Sequence, residues 1–140
     1  MPAIIRKPED SERDAVRRMW QESFPEGGDR FVDWYFTRVY REQWTWVLFE
    51  GGVLVSNLQM IPYTIRLRGN PVPVETLSGV ATGSAWRKQG HARALMAHAL
   101  DDMGSRGLGF SFLYPFNHVF YQRLGWETCS ASLEYRRPAA

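Results

Sequence analysis

Between Trp44 and Thr82 the chain is almost wholly strand-forming, and shortly afterwards it switches to helical periodicity; this change of period restricts the fold more than any other feature. Trp44 to Phe49 is a nearly unbroken β-rich run, Gly51-Gly52 supplies a turn, and Val53 to Met60 returns, so the two runs read as a hairpin. Pro62 predicts an interruption or bulge, after which Tyr63 to Arg68 continues the strand until Gly69-Asn70 turns it into Val72 to Thr82. From Gly90 to Met103 the apolar residues Ala92, Leu95, Met96, Ala99, Leu100 and Met103 recur on one helical stripe, closed by Gly104 and Gly107. Leu108 to Tyr114 is then a strand. Hairpins followed by a strand-helix-strand unit imply an antiparallel sheet that ends in a parallel pair, because a helix crossover returns the chain in the same direction.

The rest of the chain adds helices to this sheet. Ile4-Ile5 predicts a short first strand. The acidic run Glu9-Asp10-Ser11-Glu12 precedes helical spacing of Val16, Met19, Trp20 and Phe24, and carboxylates favour the positive end of a helix dipole. Pro25 and Gly27-Gly28 break this helix, and Phe31, Trp34, Tyr35 and Val39 predict a second. Phe116 to Leu124 reads as a short helix after Pro115, and Trp126 to Tyr135 as a last strand. The expectation is one α/β (α+β) domain over residues 1–140, a mixed, mainly antiparallel sheet flanked by about four helices. A length of 140 residues suits a single core. The lone Cys129 allows no internal disulfide and is expected to be an inert strand residue, no apolar run reaches the roughly 20 residues of a membrane span, and the N-terminus lacks a signal pattern; a cytoplasmic protein is expected.

Chemistry concentrates where the last long strand meets the long helix. Gly79-Val80-Ala81-Thr82 leads through Gly83-Ser84-Ala85-Trp86 into Arg87-Lys88-Gln89-Gly90-His91-Ala92. A helix starting there presents unpaired backbone N–H groups and positive potential, and Arg87, Lys88 and Arg93 add charged donors, so the junction can cradle a pyrophosphate. By spacing alone an ordinary basic helix start with a packing glycine is the commoner reading. No Gly-x-x-x-x-Gly-Lys-Ser/Thr or Gly-x-Gly-x-x-Gly occurs, which removes the two common nucleotide folds. His91, His98 and His118 lack zinc-site spacing, and no metal is expected; their side chains read as surface or packing groups.

At this junction Arg87-x-x-Gly90-x-Ala92 resembles the Arg/Gln-x-x-Gly-x-Gly/Ala signature of the GNAT superfamily of N-acyltransferases. Downstream, Phe120-Tyr121-Gln122-Arg123-Leu124-Gly125-Trp126-Glu127 resembles the family's Phe-Tyr-x-x-x-Gly-Phe/Trp-Glu segment, in the expected order. Ser78-Gly79-Val80-Ala81-Thr82, Leu113-Tyr114-Pro115-Phe116 and the Gly-Trp-Glu ending are most similar to the N-terminal acetyltransferase domain of the enhanced-intracellular-survival (Eis-like) family. The resemblance implies a GNAT fold whose parallel strands splay near Thr82 and Tyr114 to admit acetyl-CoA. It further implies that Val80, Ala81 and Thr82 meet the pantetheine arm and acyl carbonyl through their backbone. Arg87, Lys88, Gln89, Gly90, His91 and Ala92 would hold the pyrophosphate, Asn117 would lie near the arm, and Tyr121 would be the general acid that protonates the departing thiolate. A phenol at about pKa 10 can do this for a thiol at about 8.5 only within hydrogen-bond reach.

The base and the acceptor are less legible. Glu75, on the strand entering the site, could deprotonate an amine, although a strand glutamate more often faces solvent. Trp34, Tyr35 and Phe36, near Glu26, Asp29 and Asp33, could form an acidic, aromatic pocket for a cationic amine, although such a stripe is more often core. The expected partners are a coenzyme A thioester and a primary amine of a small molecule or lysine-like acceptor, with homo-oligomerisation left open. A non-catalytic acyl-CoA-binding module is the alternative. A formal charge of +2 and scattered basic residues argue against nucleic acid. In Eis-like proteins a terminal carboxylate beyond further domains is implicated in accepting the amine proton; with the sequence ending at Ala140, the expectation is acetyl-CoA binding with slow amine acetylation that rises toward the acceptor's own pKa.

Overall fold

The computed structural model describes residues 2–134 and 136. Five strands form one sheet in the order of the sequence: β1 (Ile4–Arg6), β2 (Thr45–Glu50), β3 (Val53–Leu67), β4 (Asn70–Thr82) and β5 (Ser111–Phe112). The first four pair antiparallel, and β4 pairs parallel with β5. The α+β architecture with about four flanking helices is as expected from the pattern of periods: α1 (Arg13–Ser23), α2 (Gly28–Arg38), α3 (His91–Ser105) and α4 (His118–Gln122).

The two sheet faces carry separate cores. On one, α3 lays Leu95, Met96, Ala99 and Met103 against Leu48, Val55, Leu58, Met60 and Leu77, with Tyr121 of α4 in the same cluster. On the other, α1 and α2 bring Val16, Trp20, Val32, Tyr35 and Phe36, with Tyr40 just past α2, against Val47. The second cluster is largely aromatic: Trp20 stacks on Tyr35 at 4.8 Å, and Phe36 on Tyr40 at 4.7 Å. α2 is rotated from the expected stripe, burying Val32, Tyr35 and Phe36 while Phe31 and Trp34 stay exposed. Ahead of α1, a short 3-10 turn (Asp10–Glu12) is fixed by Glu12, which accepts from the Glu9 backbone N–H at 2.8 Å and from Arg6 through both carboxylate oxygens.

Four expectations need correction. β3 runs straight through Pro62, which pairs with Glu75. β2 pairs with β3 only as far as Gln59, so at Pro62 the strand has an open side, where a missing N–H costs no ladder bond. The strand expected over Leu108 to Tyr114 shrinks to Ser111–Phe112, bracketed by Gly109 and by Pro115. The helix expected over Phe116 to Leu124 shrinks to His118–Gln122. The last strand expected from Trp126 has no regular structure through Glu134, and Tyr135 lies outside the described residues. That segment carries few β-branched residues, and a two-residue neighbour offers it little to pair with. Cys129 is accordingly exposed in an irregular segment.

Candidate functional site

β4 has different neighbours along its two edges. Toward β3 it is paired over its whole length, from Leu67↔Asn70 to Ser56↔Thr82. Toward β5 it pairs only at Glu75↔Ser111 and Thr76↔Phe112, with one further bond from Glu75 N–H to Phe110 C=O at 3.4 Å. Among the described residues, Leu77 to Thr82 therefore run on with no strand paired to that edge, and Leu113, Tyr114 and Pro115 carry no strand pairing. The two strands make a V that opens toward their C-terminal ends. Backbone groups facing that opening are available to a ligand, since buried N–H and C=O groups must find partners.

The closed end of the V is tied by charge. Arg106, just past α3, donates to both oxygens of Glu75, at 2.8 and 2.9 Å, and also pairs with Asp102 at 2.7 Å. These partners, Glu75 first, raise the Arg106 pKa above its already high ordinary value. Glu75 is buried, so its bidentate partner satisfies a carboxylate that would otherwise be costly. The glutamate considered as a base is thus a structural clamp. Nearby, Lys7 lies over the Trp46 ring at 3.5 Å, and burial pulls its amine down to about 8 against the opposing pull of Asp102 and Glu75.

At the open end β4 contains a bulge. The register slips between Asn57↔Ala81 and Gln59↔Ser78, so Gly79 and Val80 stand two against one opposite Leu58. Gly79 has φ +58°, the left-handed region, and a Cβ there would overlap the Gln59 side-chain oxygen and approach Trp20 Nε1 to 2.6 Å. Glycine is required on both counts. Val80 packs against the α3-face core, and Ala81 is buried. The Ser56 hydroxyl donates to Ala81 C=O at 2.9 Å and lies 2.9 Å from Thr82 Oγ1, which fixes the strand end.

Beyond Thr82 a 3-10 turn (Ser84–Trp86) leads to the start of α3. Lys88 and Gly90 have φ +62° and +87°, left-handed conformations that set the backbone of the turn entering α3, while Arg87 is extended. Gly90 is the N-cap of α3 and has no heavy atom within 4 Å of a hypothetical Cβ, so backbone conformation rather than crowding selects glycine there. The side chains divide. Arg87, Lys88 and Gln89 are exposed; Arg87 Nε rests on Thr82 C=O at 3.2 Å and Gln89 on Ala85 C=O at 3.2 Å. His91 turns inward and is buried beside Trp86, its Nε2 3.3 Å from Glu50 Oε2 but out of line for a hydrogen bond. Its imidazole is a packing group, and only its backbone can belong to a cradle. Ala92 packs on the same core.

Tyr121 and Asn117 come from α4. Asn117 caps that helix, accepting from Phe120 N–H at 3.0 Å. Tyr121 is held among Phe116, Phe120 and Trp126, with centroids 5.1 to 6.3 Å away, in the cluster that contains Leu77. Burial raises its pKa above the ordinary phenol value. The structure brings the β4 end, the α3 start and α4 to one face of the sheet. Two open depressions lie elsewhere, one of about 400 Å³ between α1 and the Gly83–Trp86 turn and one of about 550 Å³ beside Arg106. Neither coincides with the V, which is a gap between strands rather than a bowl.

Sequence reasoning missed the groups behind the bulge. Tyr35 OH donates to Gln59 Oε1 at 3.0 Å and lies 3.3 Å from Ser78 Oγ, and Gln59 Nε2 donates to Asn57 Oδ1 at 3.0 Å. Gly79 in the middle of a strand was their only signal, since an isolated glycine there marks a bulge or a close approach. Among the described residues no group of three His, Cys, Asp or Glu side chains converges as a metal would require.

A family model described as an acetyltransferase (GNAT) domain matches residues 4–129. No curated protein shows significant sequence similarity to the chain. Among solved structures, a GCN5-related N-acetyltransferase from Anabaena variabilis superposes with a TM-score of 0.79 at 20% identity, over 87% of this chain and 31% of that one. A predicted acetyltransferase with acetyl-CoA from Clostridium acetobutylicum gives 0.73 at 13% identity, over 96% of each chain. AAC(6')-Iy in complex with the bisubstrate analogue CoA-S-monomethyl-acetylneamine gives 0.76 at 18% identity, over 99% of this chain and 100% of that one. The chain thus spans about a third of the length of the Anabaena protein.

Proposed function

The chain belongs to the acetyltransferase (GNAT) domain family, and from that premise we propose that residues 1–140 form one N-acyltransferase unit that moves an acetyl group from acetyl-CoA to a primary amine of a small molecule or lysine-like acceptor. The observation that carries this reading is the V between β4 and β5 facing the glycine-capped start of α3. An extended thioester fits there, with its pyrophosphate against the N–H groups of Arg87 to Ala92 and its amide-bearing arm along Val80, Ala81 and Thr82. Arg87, Lys88 and Gln89 are exposed beside the cradle and add donors to the phosphates.

Bound acetyl-CoA supplies an activated acyl carbon that an amine attacks, with release of the thiol. The backbone at the bulge orients the acyl carbonyl. Tyr121 gives its phenolic proton to the departing sulfur, and water takes the proton that the amine nitrogen loses and returns one to the phenol. Asn117 lies near the arm and, as the N-cap of α4, holds the helix that carries Tyr121. An amine acceptor is supported by the neighbouring fold of AAC(6')-Iy, whose analogue joins coenzyme A to acetylneamine. Within the family, the Eis-like branch is favoured by Ser78 to Thr82, Leu113 to Phe116 and Gly125-Trp126-Glu127. We place the reaction in the cytoplasm; no helix among the described residues is long and apolar enough to cross a membrane.

One observation favours the second reading, an acyl-CoA-binding module without turnover: Glu75, the carboxylate on β4, is committed to Arg106. Two measurements separate the readings. Acetyl-CoA at 100 times its dissociation constant should add about 2.7 kcal/mol of stability in either case. Release of free thiol on adding a panel of primary amines supports the transferase, and its absence with stabilisation intact supports the module. Absence of stabilisation overturns both.

A further inference from the structure

We infer that Gln59 and Tyr35 are positioning residues, holding the bulge at Gly79 so that the β4 backbone meets the acyl group in one fixed arrangement. The inference rests on the acyl-transfer reading above for its consequence, but its structural content stands on side chains that no step of that reading uses.

Gln59 lies in the middle of β3 and is 1% exposed, and Asn57 is fully buried. Apolar residues would pack there at no polar cost, whereas burying an amide is costly unless it is hydrogen-bonded; Asn57 Nδ2 and Trp20 Nε1 have no partner among the described residues, and the remaining polar groups are paired. The bonds that are made converge on one spot. Tyr35 from α2 donates to Gln59, Gln59 donates to Asn57, and Ser78, the residue before the bulge, lies against the Tyr35 hydroxyl. The Gln59 oxygen and the Trp20 indole nitrogen stand directly against Gly79, where any side chain would collide with them. Trp20 is in turn stacked on Tyr35. Two helices and two strands therefore brace the only irregular point in the β3–β4 ladder.

A bulge needs such a brace. The extra residue is left out of the ladder, and a one-residue slip that restored regular pairing would turn Val80, Ala81 and Thr82 to opposite faces. The network costs nothing to β3–β4 pairing elsewhere, which is regular from Gln59 to Leu67. It matters only where β4 has already parted from β5, since there the backbone is the wall of the V.

Tyr35→Phe removes one oxygen, and Gln59→Glu keeps size while removing a donor; melting temperature and circular dichroism establish that each variant is folded. In the free protein, amide hydrogen exchange at Gly79 and Val80 should speed at least tenfold in Tyr35→Phe, with Leu77 unchanged. Equal exchange at all three overturns the brace without reference to any ligand. With acetyl-CoA and the best amine of a panel, the dissociation constant for coenzyme A and the KM for the amine should stay within twofold of wild type while kcat falls 10- to 100-fold. The Val80 amide resonance should also lose the shift that distinguishes acetyl-CoA from free coenzyme A. An affinity that falls in step with kcat, or an unchanged kcat, overturns the positioning role. A wild-type chain that binds no acetyl-CoA overturns the transferase reading instead, and the exchange measurement still decides whether the bulge is braced.

Discussion

The two edges of β4 differ as a zipper differs from a fork. Toward β3 it makes eleven register pairs, and toward β5 it makes two. The paired edge carries the fold, because it satisfies backbone groups along the strand and sets core side chains such as Leu58, Met60 and Leu77 on the sheet. The open edge leaves backbone groups to a ligand. Both behaviours come from one strand, so the features that decide between them are local: a two-residue partner at the base, an ion pair from Arg106, and a bulge at Gly79.

The largest test of this contrast is on the open side. Tyr121→Phe should leave acetyl-CoA binding intact while lowering the single-turnover rate by about 10²–10⁴ if proton donation limits the step. Loss of binding together with rate would make Tyr121 a packing residue of the α3 face, and an unchanged rate would remove it from the chemistry.

Gly79→Ala strikes both edges. Left-handed strain of roughly 1–2 kcal/mol adds to overpacking of about 1–3 kcal/mol against Gln59 and Trp20, so denaturant unfolding should show a loss of roughly 2–5 kcal/mol. A loss under 1 kcal/mol would mean that the bulge relaxes at no cost. Arg106→Ala tests the base of the V. It leaves the buried Glu75 carboxylate without its partner, at about 1–3 kcal/mol given that Arg106 is itself partly exposed, and Glu75→Gln in the same background should recover part of that stability.

Arg87→Ala should weaken coenzyme A binding by about 1.5–3 kcal/mol if its guanidinium leaves Thr82 for a phosphate, as calorimetry would show. Gly90→Val probes the same cradle through φ +87° and should weaken binding in a folded chain, since no neighbour occupies the space. Unchanged affinity in both variants would remove the cofactor from this junction.

The smallest effect is on pH. Lys7 titrates at about 8 in the folded chain against an ordinary value near 10.5, so the unfolded chain binds more protons between these values and stability should rise from pH 8 to 10.5. Tyr35 and Tyr40, pushed up to about 12 by burial, do the reverse: the unfolded chain releases protons first, and stability should fall between pH 10 and 12. Chemical denaturation across this range should show the first change abolished in Lys7→Met and the second reduced in Tyr35→Phe.

How far the sequence could be read depended on whether a feature was local. Helical spacing in α1 and α3, and the turn chemistry of Gly51-Gly52, are properties of neighbouring residues and appear where expected, while the turn expected at Gly69-Asn70 falls one residue earlier, at Arg68-Gly69. The Arg87 to Ala92 junction was legible because glycine at a left-handed N-cap and cations around it are also local. The reading of Tyr121 rests on its motif alone. The terminal strand failed because pairing needs a partner, and β5 is too short to supply one. His91, read as a surface or packing group, is a packing group whose inward orientation depends on Trp86 and Glu50, the latter far off in sequence.

By itself the sequence determined the order of elements as far as α4 and the antiparallel-to-parallel change across the sheet, since periodicity and turn residues act over a few residues. Only the tertiary structure decided which carboxylate is free and which glycine is crowded. Glu75 meets Arg106 thirty-one positions away, and Gly79 meets Trp20 from another element. Those outcomes follow from packing between distant segments, where burial turns an ordinary glutamate into a clamp and a strand glycine into the one residue the bulge accepts.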